Sequence, residues 1–345
     1  MKIVAFDTET VYDPKAPQWR VQELVCASFA WGEKPEERKL YAGGDVLKPL
    51  LRALQLPEYT LVAHNAVFDV NVCIKAFPEL KPLFEQAMLE GRVRDTLLRE
   101  RMVNNALGLY NKESLAACIE RYFGEVLEKE DTWRLRYGEL LGVPVEHYPE
   151  DAKTYALNDA TSVFRLYQEQ DYRHAKLYAE KADADAARYA YVLQHGTIRG
   201  VSVDAAAIED LEKKTVETIN GTLAPLLRNG LLEPEISPEE ARLGMKVHVN
   251  FRRNEEVSRD FIVKAYEKLG QEPPYTDKGT IAIDSFSCNA SRSSVLTALA
   301  TYNTHMAILN KDIKFLRDGY SQGGVHTRYS VLKSTGRVSS SNPNL

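Results

Sequence analysis

The chain has 345 residues, 44 Lys+Arg against 49 Asp+Glu, and 44% apolar side chains, which describes one large or two ordinary globular domains and excludes a disordered polymer. It lacks the run of about eighteen apolar residues that a membrane-spanning helix needs, and Met-Lys-Ile-Val-Ala-Phe-Asp meets an acid too soon for a signal peptide, so the expected location is the cytoplasm. A formal charge of −5 excludes a uniformly basic nucleic-acid coat protein, although the stretch 301–345 holds six basic residues against two acidic ones. Cys26, Cys73, Cys118 and Cys288 show no C-x-x-C or Cys/His metal spacing and are expected as small buried hydrophobes rather than disulfides or zinc ligands.

In chain order, Ile3–Phe6, Leu24–Trp31 and Thr60–Ala63 read as short apolar strands, with amphipathic helices around Val46–Leu54 and Val67–Phe77. The first ~110 residues are therefore one α/β layer of sheet and helices. Strand signals then stop, and Lys112–Phe123 and Pro149–Ala182 read as helices, the second with Glu150 and Asp151 in its first turn where negative charge suits the helix dipole. A domain boundary is expected near residue 180. Beyond it, His195–Asp204 reads as a loop and short strand, and Ala205–Asn229 as a long helix. The stretch Leu231–Ser293 is rich in Pro, Gly, Ser and Glu, with one clear helix at Glu255–Leu269. A helix at Ser294–Leu316 precedes a Gly/Ser/Thr/Asn-rich close, Gly323–Leu345. The expected division is 1–180, 181–322 and 323–345.

Three segments carry chemistry. In Phe6-Asp7-Thr8-Glu9-Thr10, at the end of the first strand, alternation puts Asp7 and Glu9 on one sheet face. His64-Asn65-Ala66-Val67-Phe68-Asp69 runs from a strand into a helix start with a third acid. In Tyr155-Ala156-Leu157-Asn158-Asp159 the four-residue spacing sets a phenol and a carboxylate one helical turn apart. Carboxylates gathered so closely repel one another unless a cation sits among them. Hard divalent ions such as Mg²⁺ or Mn²⁺ favour such oxygens, and a pair of them clamps both oxygens of an in-line phosphoryl displacement.

These segments resemble the three exonuclease motifs of the DEDD superfamily, in the subtype whose last motif is Y-x-x-x-D. The resemblance covers about residues 1–175 and implies a ribonuclease H-like fold with a mixed sheet and flanking helices. It implies that Asp7, Glu9, Asp69 and Asp159 hold two Mg²⁺ or Mn²⁺ ions, and that Tyr155 orients or helps deprotonate the attacking water. Thr8, Asn65 and Phe68 would line the pocket for the terminal nucleotides of a single strand. Asp95, in Arg94-Asp95-Thr96-Leu97-Leu98, reads as a structural cap on the following helix.

The second half resembles family A DNA polymerases, the DNA polymerase I type. His195–Asp204 is similar to the G-V-x-V/I-D segment that leads into the polymerase part. Val249-Asn250-Phe251 and Pro274-Tyr275-Thr276-Asp277-Lys278-Gly279 are similar to the thumb, with Ile281-Ala282-Ile283-Asp284 in place of the usual small-hydroxyl motif. His326-Thr327-Arg328 and Thr335-Gly336-Arg337-Val338-Ser339-Ser340-Ser341-Asn342-Pro343-Asn344-Leu345 resemble the signature at the palm entrance. The resemblance implies a mostly α-helical thumb and a partial palm, with Lys311, Lys314, Arg328, Thr335, Arg337, Ser339 and Asn342 on duplex DNA. Such side chains bind phosphates and sugars without reading sequence.

The family's palm aspartates and its nucleotide-binding fingers helix are not found, so the 345 residues are not expected to polymerise alone. Gly324–Ser334 is expected to leave an open sheet edge that invites a partner. The expected function is a metal-dependent 3′-5′ exodeoxyribonuclease that proofreads and supplies the thumb of a split, bacteriophage-like family A polymerase. Its partners would be a single-stranded 3′ end, a primer–template duplex and a second polypeptide carrying palm and fingers, in host cytoplasm if phage-encoded. Two alternatives stand beside it: a free-standing DNA or RNA exonuclease with a duplex clamp, and a non-catalytic DNA-binding subunit.

Overall fold

The computed structural model describes residues 2–17, 19–127, 133–178, 182–235, 250–333, 335–341 and 343. The chain forms two compact units, one made of Met1–Gly200 with His326–Leu345, the other of Val201–Val325. The expected boundaries at 180 and 322 thus fall at 200 and 325, and the closing segment belongs to the first unit. Residues 182–199 stay with that unit because α7 (Ala182–Arg199) buries the small residues Ala184, Ala186, Ala187 and Ala190 together with Tyr191, and packs on helices α2, α3 and α4 described below.

The first unit is built on a five-stranded mixed sheet in the order β3-β2-β1-β4-β5. Its strands are β1 (Lys2–Thr10), β2 (Leu24–Ala30), β3 (Arg38–Ala42), β4 (Tyr59–Ala63) and β5 (Val93–Asp95). β1 pairs antiparallel with β2 and parallel with β4. The β1–β2 ladder runs in step from Ala5↔Ala30 through Glu9↔Cys26 and shifts only between Glu9 and Thr10. Two strands are not visible in the sequence pattern: β3 carries its Arg and Lys at the sheet edge, and β5 is three residues long, too short to show a period of two.

Helices cover both faces. α1 (Leu47–Gln55), α2 (Ala66–Ala76) and α3 (Lys81–Leu89) close one face over Phe6, Phe29, Leu50, Leu61 and Phe84, all fully buried. On the other face lies α6 (Glu150–His174), which presents Ala152, Ala156 and Ala160 at four-residue spacing. Side chains that small let α6 lie close against β1 and β2. α4 (Thr96–Leu107) and α5 (Leu115–Phe123) complete the layer. The single helix expected over Pro149–Ala182 ends at His174, followed by a short 3₁₀ turn, Ala175–Leu177.

The first half of the loop and strand expected at His195–Asp204 is helix, since α7 continues to Arg199. Gly200 follows at φ +69°, and a Cβ there would meet the His326 ring at 2.8 Å, so both conformation and space require glycine. His326 accepts this close approach while bonding Thr197 O through Nδ1 at 2.8 Å and stacking on Trp19 at 3.9 Å. The expected open edge at Gly324–Ser334 is closed on one side by the chain itself: β8 (Arg328–Ser330) pairs with β9 (Ser339–Ser341) as a hairpin.

The second unit is helical around Leu226, Leu231, Ile262, Leu296 and Leu299. α8 (Ala205–Arg228) opens with Asp204 as its N-cap, accepting from Ala206 N at 2.8 Å. The stretch expected to hold one helix contains Glu255–Lys268, an antiparallel pair of strands, β6 (Leu232–Glu235) and β7 (Asn250–Arg253), and a six-residue helix Ser285–Ala290. Asp284, where the sequence departs from the thumb pattern, caps that short helix through Ser287 N at 2.8 Å. The helix expected as Ser294–Leu316 is interrupted by a π turn, Ile308–Ile313, before resuming at Lys314–Ser321. All four cysteines are free and buried.

Candidate active site

Asp7 and Glu9 leave β1 on the face that α6 covers, and α6 brings Asp159 to meet them. One carboxylate oxygen from each of the three lies within 4.8 Å of the others. Asp69 arrives from α2, which packs on the opposite face, and so reaches the group past the strand rather than across it. Thr8, whose side chain alternates away from Asp7 and Glu9, holds it there: its amide N–H and its hydroxyl both donate to Asp69 Oδ1, at 2.9 and 2.7 Å. Asp69 is fully enough buried, and near enough, for its charge to act on both Asp7 and Glu9. Thr8 was expected to line the terminal-nucleotide pocket; it is buried and its hydroxyl is committed to Asp69.

The electrostatics follow from four acids held close, Glu9 and Asp69 buried and Asp7 and Asp159 half-buried. Burial, reinforced by the neighbouring carboxylates, raises Asp7 and Glu9 well above the usual range. Burial pushes Asp69 up to about 7 against the hydrogen bonds from Thr8, and Asp159 up to about 6 against the Tyr155 hydroxyl. Burial, then the charges of Asp159, Glu9 and Asp7, raise the Tyr155 phenol, which therefore stands as an O–H group. Its ring is 6.2 Å from that of Tyr137, a fully buried residue whose own hydroxyl donates to Ala152 O at 2.8 Å.

Arg134 is a cation that the motif reading missed. It lies within electrostatic reach of Glu9, Asp159 and Tyr155. The signal that could have found it is Trp133-Arg134-Leu135-Arg136-Tyr137, aromatic and basic residues interleaved just before α6.

Asp95, read as a cap, does twice the expected work. It accepts from Leu97 N and Leu98 N at the start of α4, at 2.9 and 3.3 Å, and also from Asn65 N and Ala66 N at the start of α2, at 3.0 and 2.9 Å. Asn65 is thereby held in the left-handed region at φ +70°, which Asn tolerates better than most residues. Phe68, one turn into α2, is 39% exposed. His64 bonds Thr96 Oγ1 through Nδ1 at 2.9 Å, and burial lowers it to about 4, so it is neutral near pH 7.

The donor set fits hard divalent cations. Oxygens converge with no nitrogen or sulfur among them, and Glu9 Oε1 is buried without a hydrogen-bond partner. A buried acceptor left unmet is costly, and a cation would meet it.

The residues expected on duplex DNA are divided between the two units. Lys311 is exposed in the π turn and Lys314 exposed just after it, both in the second unit. Arg328 and Ser339 sit on the β8–β9 hairpin of the first unit, with Thr335 and Arg337 exposed at its turn. Asn342 lies outside the described residues.

With the geometry in hand, residues 1–170 match the family model of a 3′-5′ exonuclease, the exonuclease domain of the DNA polymerase A type. The fold of the chain is similar to that of the polymerase domain of Pol1 from M. smegmatis, solved with a DNA primer–template and dNTP. That likeness has a TM-score of 0.60 at 16% identity and covers 99% of this chain and 51% of the other, so the chain spans about half the length of that structure. No curated protein matches the sequence. The fold class is accordingly α/β over the stretch that matches the exonuclease model, joined to a mostly helical part, the whole similar in fold to that polymerase domain. Among the described residues no helix is long and apolar enough to cross a membrane.

Proposed function

We propose that the chain is a metal-dependent 3′-5′ exodeoxyribonuclease that proofreads for a family A polymerase, and that its second unit is that polymerase's thumb. The observation that carries the reading is the meeting of Asp7, Glu9 and Asp159 within 4.8 Å inside a stretch that matches an exonuclease model. Asp7, Glu9, Asp69 and Asp159 would hold two Mg²⁺ or Mn²⁺ ions, which when bound supply charge stabilisation and an activated water. Thr8 keeps Asp69 aimed at the cluster. Tyr155, as an O–H group beside Asp159, orients the water rather than removing its proton. Asn65 and Phe68 face the terminal nucleotides, where an exposed ring beside the acids suits base stacking. Lys311, Lys314, Arg328, Thr335, Arg337 and Ser339 would track duplex phosphates. Palm and fingers would come from sequence outside these residues, carried by a second polypeptide or by more of the same one.

The test is hydrolysis of a single-stranded oligonucleotide labelled at either end. Mononucleotides should leave from the 3′ end with Mg²⁺ or Mn²⁺ and not in EDTA. Release from the 5′ end, or full activity in EDTA, would overturn the reading.

A further inference from the structure

A cavity of about 260 Å³ opens beside the second half of α4. One wall is α4 and the segment that follows it; the other is the chain just after β8. Side chains tie the walls together. Arg101 pairs with Glu113 at 2.7 Å and donates to Val331 O at 3.2 Å, while Asn105 Nδ2 donates to Leu332 O and Lys333 O at 3.3 and 3.0 Å. A space bridged this way is built into the unit rather than left by loose packing.

Three groups on it have no task in the fold. Asn104 lines the cavity and is 3% exposed; its Nδ2 donates to Asn111 O at 3.2 Å, but Oδ1 has no partner. Native proteins seldom bury such an acceptor unmet. The Tyr110 ring, also on the lining, is 90% exposed, the most open large apolar side chain described. Lys333 is exposed and makes no ion pair among the described residues. Its backbone is fixed by Lys333 N to Arg337 O at 3.0 Å, which sets two cations on one turn.

An unmet acceptor, an open ring and a free cation are complementary to an N–H edge, a flat base and a phosphate. The location agrees. Asp95, which holds the start of α2 at the acids, also caps α4, and Asn104 and Asn105 follow ~14 Å along that helix, at 1.5 Å per residue. We propose that the cavity is a single-strand subsite that takes one nucleotide upstream of the hydrolysed end, its base on Tyr110, a base N–H on Asn104 Oδ1 and its phosphate at Lys333. This rests on the exonuclease reading and adds to it a second point of attachment on the strand.

The test is equilibrium binding in EDTA, by fluorescence anisotropy, of a trinucleotide and a long oligothymidylate to the full chain. Tyr110→Ala, at an exposed position, should weaken the long strand about tenfold, the scale of losing one base–aromatic stack, with the loss confined to that strand. Lys333→Ala should lower the slope of log affinity against log salt by about 0.7, one phosphate of a single strand. Equal affinity of wild type and Tyr110→Ala for the long strand would overturn the subsite while leaving the exonuclease reading intact. If the wild-type chain bound neither strand in EDTA, the subsite, which uses no metal, would fall, while the exonuclease reading is judged by its own metal-dependent hydrolysis.

Discussion

Two groups of acids in the first unit are treated in opposite ways. Around α4, Asp183 and Glu100 have their counterparts: Asp183 takes Arg99 at 2.9 Å and Arg94 at 3.3 Å, and Glu100 takes Arg121 at 2.8 Å, Tyr122 at 2.9 Å and Gln170 at 3.1 Å. At the end of β1, Asp7, Glu9 and Asp159 face one another, with Arg134 only within electrostatic reach. A buried charge that is paired belongs to the fold, because removing either partner strands the other. A set of like charges crowded together works against the fold, and its composition makes sense for a ligand of opposite sign. Burial alone therefore does not separate structural acids from chemical ones; a counter-charge, or a set of backbone N–H donors as at Asp95, marks the structural ones.

Substitutions can break that contrast. The largest effect is expected from Asp159→Ala, which should cut hydrolysis by about 10³-fold or more, as several kcal/mol of charge stabilisation go with one ligand. Its thermal midpoint in EDTA should hold or rise, since a repelling charge has gone. Asp183→Ala should do the reverse, losing about 3–5 kcal/mol of stability in urea unfolding while Mn²⁺ still binds. A stable Asp183→Ala protein without activity would erase the distinction. Next in size, Tyr155→Phe removes only the hydroxyl, and single-turnover cleavage should fall about 10²-fold with metal affinity unchanged. Unaltered cleavage would reassign the ring to packing against Tyr137.

A last effect, on stability alone, concerns pH. His64 has a folded value of about 4 against an ordinary 6.5, so the unfolded chain takes up a proton that the folded one refuses. Its contribution is complete above pH 6.5 and is lost as pH falls through 4, by up to about 3 kcal/mol. The stability difference between wild type and His64→Gln, followed by urea unfolding across that window, should change by this amount; a flat difference would mean that His64 is protonated in place.

The residues that carry the candidate site were legible because each motif is local: Asp7 with Glu9 by strand alternation, Tyr155 with Asp159 by helical spacing. The same locality revealed β1, β2, β4 and the long α8. What stayed hidden depends on pairing distant in sequence. Asp95 could be read as the cap of α4, but its hold on Asn65 and Ala66 exists only because β5 lies parallel to β4. Asp69 is set apart from the trio by helices packing on opposite sheet faces, which no spacing encodes. The segment His195–Asp204 read as a loop and short strand, yet α7 runs through Gly196 to Arg199 because its alanines pack on α2, α3 and α4, which outweighs local preference.

The slip in the β1–β2 ladder after Glu9 has a consequence for chain-length variation. From Ala5 to Glu9 every residue of β1 has a fixed opposite number, and Lys2–Ala5 are matched on the other side by Tyr59–Val62. One inserted or deleted residue before Glu9 would exchange inward and outward positions and turn a carboxylate toward Phe29 and Leu50. The same event after Thr10 would fall where the register is already irregular and the chain is leaving the sheet. Indel tolerance should therefore change abruptly at a single peptide bond, and a library of one-residue insertions scanned along residues 3–16 would locate it.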